Sequence, residues 1–244
     1  MTDFPVTLAH AVQPRYGIWG NSLLQIDHCE FPDDALYDLE NNVWIRLEER
    51  KRARLGITSV HAALAGKLKE VKFKPTQSLL QRGQAVATIE SVRYFGAVRT
   101  PLTGRLVETN PALEKNPKLE NDHSYEDGWF VRIEPVHLSQ EMNALVDPRT
   151  AEERIRSQIH ELRVRCFKAF PDYEMWEIGV ECAGVLVRLN DLMERSSVND
   201  VVHVVSDDPT ADIEMVRWSD ETGQQLLESR KEGKLMHFIV RKVR

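Results

Sequence analysis

Short segments in which hydrophobic and polar residues alternate dominate the first half of the chain, where regular helices are few. In KLKEVKFKP, for example, Val71 and Phe73 are predicted to point to one side of a strand, and Lys72 and Lys74 to the other. Many short strands separated by turn residues predict a small all-β barrel or sandwich. The segment LGITSVHAALAG predicts a strand end followed by a short helix.

The pattern becomes helical after Pro148. Thr150 and Glu153 have the spacing of a capping box at a helix N-terminus. The apolar positions that follow recur every three or four residues, as on one face of a helix, and comprise Ile155, Ile159, Leu162, Cys166 and Phe170. These features predict one helix over residues 150–170, ended by Pro171, that connects two domains.

From Tyr173 onward the predicted order is strand, helix, strand, helix, strand, strand, with a turn at residues 232–234 between the last two strands. This order predicts a small two-layer α+β sandwich. We therefore divide the chain into an N-terminal extension (1–30), a β domain (31–137), a helical connector (138–172) and a C-terminal domain (173–244).

Composition narrows the class of protein. Of 244 residues, 42% are hydrophobic and 29% are charged, which excludes a disordered or fibrous chain. The net charge of -6 argues against non-specific binding to nucleic acid or anionic membranes. Because no apolar run approaches the roughly 20 residues that span a bilayer, we expect a cytoplasmic protein with neither a membrane nor a nucleic acid as its partner.

The three cysteines, Cys29, Cys166 and Cys182, are widely spaced and form no CxxC pair. We therefore expect neither a disulfide framework nor a metal site. Cys166 lies in the apolar helical stripe and is predicted to pack in a core, and Cys29 is predicted to have a surface or packing role. Any cysteine with a special function is expected to act as a free thiol.

The segment TIESVRYFGAVRTPLTGRLVETNPALEKNP, residues 88–117, resembles the lipoyl-bearing region of the glycine cleavage H protein. The resemblance extends from Phe31 to Pro135 through FPDDALYDLENNVWIRLE, LGITSVHAALAG and NPALEKNPKLENDHSYEDGWFVRIEP. It implies that the β domain is a lipoyl-type flattened barrel with short helices. It also implies that the ESVR motif lies at the tip of a hairpin.

In the H-protein family this motif reads ESVK, and its lysine carries lipoic acid through an amide bond. Arg93 stands at the position of that lysine. A guanidinium group stays protonated at any accessible pH and is a poor acyl acceptor. No lysine lies between Gln77 and Val107 to replace it. We therefore interpret Arg93 as a lost lipoyl attachment position and expect no lipoate on this chain.

Three roles for Arg93 are open. It is a neutral remnant, a hydrogen-bonding or ion-pairing group at the hairpin tip, or an anchor for an anionic partner. We favour partner contact, because Tyr94 and Phe95 follow directly and arginine with aromatic residues is typical of interface hot spots. The alternative is that both aromatic side chains pack inward.

The C-terminal domain resembles the TusA-like sulfur carriers. The resemblance rests on Gly179 three residues before Cys182, on the SDDP turn at residues 206–209, and on the final strand FIVRKV. In that family the cysteine opens a CPxP motif and carries a persulfide. This chain has CAGV, so Ala183 and Val185 replace both prolines.

Cys182 is predicted to begin a helix, where the helix dipole favours a negative charge and can lower the pKa of a thiol. A thiolate there could accept and release a sulfane sulfur. The alternative is a small, buried and inert cysteine.

These resemblances lead to one main hypothesis and two others. The leading one is a sulfur carrier, of sulfurtransferase type if it is an enzyme at all, with a candidate persulfide on Cys182 and a non-lipoylated β domain that docks sulfur-relay or lipoate-handling proteins. The second is a non-catalytic adaptor or assembly protein that retains both folds without carrier chemistry. An active glycine cleavage H protein is the least favoured.

Overall fold

The computed structural model describes residues 22–244, so most of the predicted N-terminal extension lies outside the described residues. Within the described part, the strands are β1 Leu23–Ile26, β2 Cys29–Pro32, β3 Leu36–Asp38, β4 Val43–Glu48, β5 Arg52–Ile57, β6 Leu68–Phe73, β7 Leu79–Leu80, β8 Ala85–Ser91, β9 Phe95–Arg99, β10 Gly104–Thr109, β11 Val131–Pro135, β12 Tyr173–Glu177, β13 Val201–Ser206, β14 Gln225–Glu232 and β15 Leu235–Arg241. The helices are α1 Ser59–Ala65, α2 Pro111–Lys115, α3 Lys118–His123, α4 Leu138–Glu141, α5 Glu152–Leu162, α6 Cys182–Arg195 and α7 Ala211–Thr222.

The β domain consists of short antiparallel strands, as the alternating pattern predicts. Six strands form one sheet in the order β3-β4-β5-β11-β10-β7, and β6, β8 and β9 form a second sheet. Alternate residues of both sheets point into a shared core whose largest members include Ile45, Leu55, Ile89, Leu106 and Phe130. The N-terminal hairpin of β1 and β2 forms a separate two-stranded sheet.

Two short helices support the β8–β9 hairpin. The Thr58 hydroxyl accepts a hydrogen bond from the His61 N–H at 3.3 Å and so caps α1. At the other end of α1, the Asn121 side chain donates to the Gly66 carbonyl at 3.1 Å and accepts from the Leu68 N–H at 2.9 Å. These bonds fix the turn between α1 and β6, against which the tip of the hairpin rests.

The predicted connecting helix is shorter than its apolar stripe indicates. Helix α5 ends at Leu162, and Arg163 adopts a left-handed conformation with φ of 52°. The predicted capping box is also wrong, because the residue before α5 is Ala151 and the Thr150 hydroxyl donates to the Asp147 carbonyl instead. Cys166 still reaches the core because the non-helical segment after α5 packs into the same apolar cluster as the helix.

The expectation that the cysteines form no disulfide is wrong for two of them. Cys29 in β2 and Cys166 in the segment after α5 are joined by a disulfide, with their Cα atoms 4.9 Å apart. Both lie in an apolar cluster that also contains Phe31, Trp44 and Ile155. The two cysteines are 137 positions apart in sequence, and the packing of α5 against the N-terminal hairpin brings them together. Sequence spacing does not reveal such a pairing.

The C-terminal domain has the predicted element order. Its sheet runs β12-β13-β15-β14, with β12 parallel to β13 and the other pairs antiparallel. One face of this sheet carries Met175, Val204 and Phe238, which pack with residues of α6 and α7 in a buried cluster. The opposite face carries Trp176, His203 and His237. The two histidines contact Phe167 of the connecting segment, and Trp176 contacts His203. The two layers are therefore a sheet and a helical pair.

No helix among residues 22–244 is both long enough and apolar enough to cross a membrane.

Glu120 in α3 is a carboxylate enclosed in the β domain. Its side chain has no exposed surface, and neither carboxyl oxygen has a hydrogen-bond partner within the described residues. Burial in this environment raises the pKa of Glu120 to about 8. At neutral pH the folded protein therefore holds Glu120 in its protonated form, whereas the unfolded chain ionises it.

Folding should consequently become less favourable as the pH rises from the ordinary pKa of a glutamate through the raised pKa of Glu120. The contribution of this residue is up to about 1.4 kcal/mol per pH unit. Glu120→Gln should flatten the decline in unfolding free energy between about pH 5 and pH 8, as measured by urea denaturation. The exposed Glu126→Gln is the control and should leave the slope unchanged. Equal slopes in Glu120→Gln and the wild type would contradict the assignment.

Candidate functional site

Ser91 of the ESVR motif shapes the tip of the β8–β9 hairpin. Its hydroxyl accepts hydrogen bonds from the N–H groups of Arg93 (3.2 Å) and Tyr94 (3.1 Å), and it donates to the Ala65 carbonyl at 2.6 Å. One buried side chain therefore closes the turn and ties it to the end of α1. A serine at this position favours the tight turn because its hydroxyl bonds to the backbone of the next residues.

Arg93 is bound to its own fold at both ends of the guanidinium group. Its Nη2 donates to the Ala63 carbonyl at 3.1 Å, and its Nη1 lies 3.4 Å from Oε1 of Glu174 in the C-terminal domain. The side chain is 54% exposed, so the ion pair with Glu174 adds little stability by itself. Its effect is positional, because it draws the side chain back from the tip and toward the other domain.

The three residues predicted to contact a partner, Arg93, Tyr94 and Phe95, have different surroundings in the structure. Tyr94 packs against the core of the β domain, and its hydroxyl lies 3.1 Å from Nε2 of His61. Gly96 is needed beside it, because a Cβ at that position would collide with the tyrosine ring. Phe95 is 73% exposed, and the neighbouring Val92 is 82% exposed. Val92 and Phe95 therefore form the most exposed apolar surface of the tip, whereas Tyr94 packs inward and Arg93, still half-exposed, folds back onto Ala63 and Glu174.

A fully buried carboxylate that the sequence pattern did not predict joins the two domains next to this tip. The side chain of Asp172 has no exposed surface; Lys67 Nζ lies 2.8 Å from its Oδ1 and Lys118 Nζ lies 3.0 Å from its Oδ2. The Val201 N–H also donates to Oδ2 at 3.0 Å. Burial acts to raise the pKa of Asp172, but these donors outweigh it and the net pKa is lowered. Asp172 follows a proline at a predicted boundary, which is a weak signal.

Cys182 is the first residue of α6, as predicted, and is held there by the SDDP turn. Its N–H donates to Oδ2 of Asp208 at 2.7 Å, while the Gly179 N–H donates to Oδ1 of Asp207 at 2.8 Å. Gly179 has φ of 72°, a conformation that favours glycine. The two aspartates thus hold the segment that leads into the helix. They belong to the motif, but their partners could not be read from sequence.

The thiol of Cys182 is less acidic than the helix-dipole argument predicts. Burial raises its pKa, and the nearby charges of Asp208 and Glu214 raise it further. The residue is 4% exposed and packs in the cluster between the sheet and the two helices. The expected lowering of the pKa is therefore wrong, because desolvation and two carboxylates oppose the thiolate more than the helix terminus favours it.

Cys182 and Arg93 lie on opposite sides of the C-terminal sheet. Successive side chains of a strand point to opposite faces. In β12, Met175 belongs to the cluster that contains Cys182, whereas the preceding residue, Glu174, contacts Arg93. The sheet therefore stands between the two predicted site residues, and direct transfer between them within one molecule has no geometric support.

A cleft of about 1180 Å³ separates the β domain from the C-terminal domain. Arg93, Lys67, Cys166, Asp172 and Trp176 are among the residues that line it, and Cys182 is not. Clefts at domain junctions are common places for ligands and partner segments. Within residues 22–244 no group of three or more His, Cys, Asp or Glu side chains is arranged to hold a metal ion.

Two stacked histidines lie on the sheet of the C-terminal domain, and one of them, His203, lines this cleft. His203 Nε2 lies 2.9 Å from His237 Nδ1, and the rings stack with their centroids 5.2 Å apart. Burial lowers the pKa of His203 to about 4 and also lowers the pKa of His237. Both are therefore neutral near pH 7, which suits a hydrogen bond between the two rings. Nothing in their spacing of 34 positions indicates this pair.

The β domain, with a hairpin tip braced by short helices, has a small carrier-type fold. The family model described as "Glycine cleavage H-protein" matches residues 35–158, just over half of the chain. The chain belongs to the glycine cleavage H-protein family. The match includes α5 up to residue 158, consistent with the packing of this helix against the N-terminal hairpin.

Similar proteins carry the same family name. "Glycine cleavage system H protein 2" of Aquifex aeolicus (strain VF5) is 32% identical over 138 residues, which cover 57% of this chain and 86% of that protein. "Probable glycine cleavage system H protein 2" of Sulfurisphaera tokodaii is 33% identical over 146 residues, covering 59% and 98%. The crystal structure of a glycine cleavage system H protein from Mycobacterium marinum matches with 23% identity and a TM-score of 0.41, over 46% of this chain and 97% of that one.

The geometry predicts how Cys182 responds to its neighbours. Asp208→Asn removes a negative charge near the thiol but keeps an oxygen that can accept the Cys182 N–H, so the pKa of Cys182 should fall. The rate of alkylation of the native chain, measured against pH, should then rise at lower pH than in the wild type. Asp207→Asn is the matched control, because Asp207 binds Gly179 instead. An equal shift in both variants would contradict a specific effect of Asp208.

Proposed function

We propose that this chain is a non-lipoylated member of the H-protein family that acts by binding other proteins rather than by carrying a group. The observation that carries the proposal is the state of Arg93. A residue that cannot form the lipoyl amide stands where the family's lysine is expected, and its guanidinium is bound to Ala63 and Glu174 of the same chain. The adaptor hypothesis is thus preferred over the sulfur carrier.

The hairpin tip supports a docking role through Val92 and Phe95, whereas the sequence favoured Arg93, Tyr94 and Phe95. Val92 and Phe95 form an exposed apolar pair on a rigid turn, a composition that is common at the centre of protein interfaces. The proposed partners are lipoate-handling or sulfur-relay proteins. Arg93 and Tyr94 would contribute by holding the turn in shape, and the cytoplasmic location expected from the sequence is part of the same proposal.

Lipoylation tests the first half of the proposal. The wild-type chain, incubated with a lipoate ligase, ATP and lipoate, should show no added lipoyl group by intact mass spectrometry. Arg93→Lys places an amine at the tip and should accept the group, if this is the family's attachment position. Arg99→Lys, at an exposed site of the same hairpin, is the matched control and should stay unmodified. Lipoate on the wild-type chain would overturn the proposal in favour of an active H protein.

Binding tests the second half. Purified lipoate ligase and purified cysteine desulfurase represent the two proposed partner classes, and at least one should bind the wild-type chain in calorimetry. Phe95→Asp should weaken that binding by about tenfold or more, as expected for loss of an interface anchor. Ile213→Asp changes an apolar residue of α7 with 68% exposure and is the matched control. Binding by neither protein, or equal losses in both variants, would contradict docking through the tip.

Sulfur transfer by Cys182 is the second candidate function. The observation that favours it is that Cys29 and Cys166 form the disulfide, so Cys182 is the free cysteine among the described residues. The family match ends at residue 158, and the TusA-like assignment of the C-terminal domain therefore rests on the motif residues and on the order of strands and helices. Burial and the raised pKa of the thiol weigh against this candidate.

Persulfide formation distinguishes the two candidates. A cysteine desulfurase with cysteine, or polysulfide, is added to the native chain, and the product is analysed by peptide mass spectrometry. The adaptor proposal expects little added sulfur on Cys182, because a buried thiol is slow to react. A stoichiometric persulfide that disappears in Cys182→Ser would establish the carrier instead.

A further inference from the structure

The cleft gives access to the disulfide from one side. Cys166 lines the cleft and is 8% exposed, whereas Cys29 has no exposed surface and is absent from the lining. A nucleophile that enters this cleft therefore reaches Cys166 before Cys29. This places a reducible bond at the wall of a cavity large enough for a small molecule or a side-chain arm.

The disulfide also lies where the two domains meet. Cys166 is bonded through its sulfur to β2 of the N-terminal hairpin, while its carbonyl accepts a hydrogen bond from Arg230 of the C-terminal domain at 2.8 Å. On either side of it, Arg165 pairs with Glu232 at 2.6 Å, and the Phe167 ring packs against His203 with the ring centroids 4.5 Å apart. The connecting segment is thus bound to the C-terminal sheet by polar and aromatic contacts, and to the N-terminal hairpin by a covalent bond.

We propose that the Cys29–Cys166 disulfide is a redox site for a dithiol that enters the cleft, and that its reduction loosens the C-terminal domain from the β domain. The inference goes beyond the proposed docking function and does not depend on it. Its substrate class is a small dithiol or a dithiol-bearing arm of another protein.

The exchange balances as two successive displacements. One thiolate of the dithiol attacks the Cys166 sulfur, the bond between the two cysteines breaks, and the Cys29 sulfur leaves with the electron pair and takes up a proton. The second thiol of the reagent, as the thiolate, then attacks the reagent's first sulfur in the mixed disulfide. This expels the Cys166 thiolate, which takes up a proton. The dithiol is oxidised by two electrons to a cyclic disulfide, and both cysteines become thiols.

Geometry favours a dithiol over a monothiol. The Cα atoms of the two cysteines are 4.9 Å apart in a buried cluster, so the freed Cys29 thiol stays beside the mixed disulfide on Cys166. It can attack that sulfur again, expel a monothiol and restore the original bond. A dithiol competes because its second thiol is also held next to the mixed disulfide, and ring closure removes the reagent.

After reduction, the backbone of the connecting segment is the one covalent link between the domains within the described residues, and the remaining contacts between them are non-covalent. These are chiefly the Asp172 ion pairs with Lys67 and Lys118, and the exposed pair of Arg93 with Glu174. Once the Cys29–Cys166 bond is broken, residues 163–171 are free to move away from the N-terminal hairpin together with the C-terminal domain. The cleft would then widen.

Amide hydrogen exchange on the full-length chain tests the proposal without a mutation. The native chain, alkylated after denaturation without reductant, should expose one thiol, on Cys182. Treatment of the folded chain with dithiothreitol before denaturation should raise the number of alkylated thiols to three. The same treatment should speed amide exchange over residues 163–171 by about tenfold, as expected for local opening. 2-Mercaptoethanol at equal thiol concentration should have a much smaller effect. Three thiols before reduction, no acceleration, or equal effects of the two reagents would each overturn the proposal.

Variants separate the disulfide from its neighbours. Cys182→Ser retains the disulfide and should behave as the wild type, whereas Cys29→Ser should exchange fast over residues 163–171 with or without reductant. Asp172→Asn weakens the remaining ion pairs, so the reduced variant should exchange faster than the reduced wild type. An Asp172→Asn chain that exchanges equally fast before and after reduction would show that the disulfide is not the restraint, and would overturn the inference.

Discussion

The side chain of Asp172, removed from solvent at the junction of the two domains, is the interaction on which the arrangement of this molecule depends. A buried carboxylate costs several kcal/mol in lost hydration, and it is tolerated only where close partners offset that cost. Lys67 and Lys118 come from the β domain, and the Val201 N–H comes from the C-terminal sheet. Because three groups from two domains must converge on one carboxylate, their positions fix how the C-terminal sheet meets the hairpin.

This junction gives Arg93 its surroundings. With β12 held beside the tip, Glu174 is in place to pair with the guanidinium, and the cleft forms between the hairpin, the connecting segment and the C-terminal sheet. The same placement turns Cys182 to the far face of that sheet, among apolar side chains and close to Asp208. Arg93 is ion-paired at the hairpin tip, while the Cys182 thiol is enclosed on the other side of the sheet. The two halves of the chain therefore share a structural junction rather than a chemical one.

The predictions succeeded where the relevant forces are local. Alternation of apolar residues predicted the strands of the β domain, and the order of elements in the C-terminal domain was also predicted correctly, because burial of one face imposes a period on the sequence. The prediction of one helix over residues 150–170 was wrong because it, too, was based on the burial of apolar positions. Cys166 is buried as it would be on a helix, yet it lies in a non-helical segment held by a disulfide. Burial alone does not distinguish the two conformations.

The sequence by itself determined the family of the β domain, the element order of the C-terminal domain, the tip position of Arg93 and the helix-initial position of Cys182. These depend on motifs and on short-range periodicity. Tertiary structure alone decided the pairing of Cys29 with Cys166, the burial of Asp172, the raised pKa of the Cys182 thiol and the inward turn of Tyr94. Each of these depends on desolvation or on contacts between residues that are distant in the chain. Both arise only when the chain has packed into its tertiary structure.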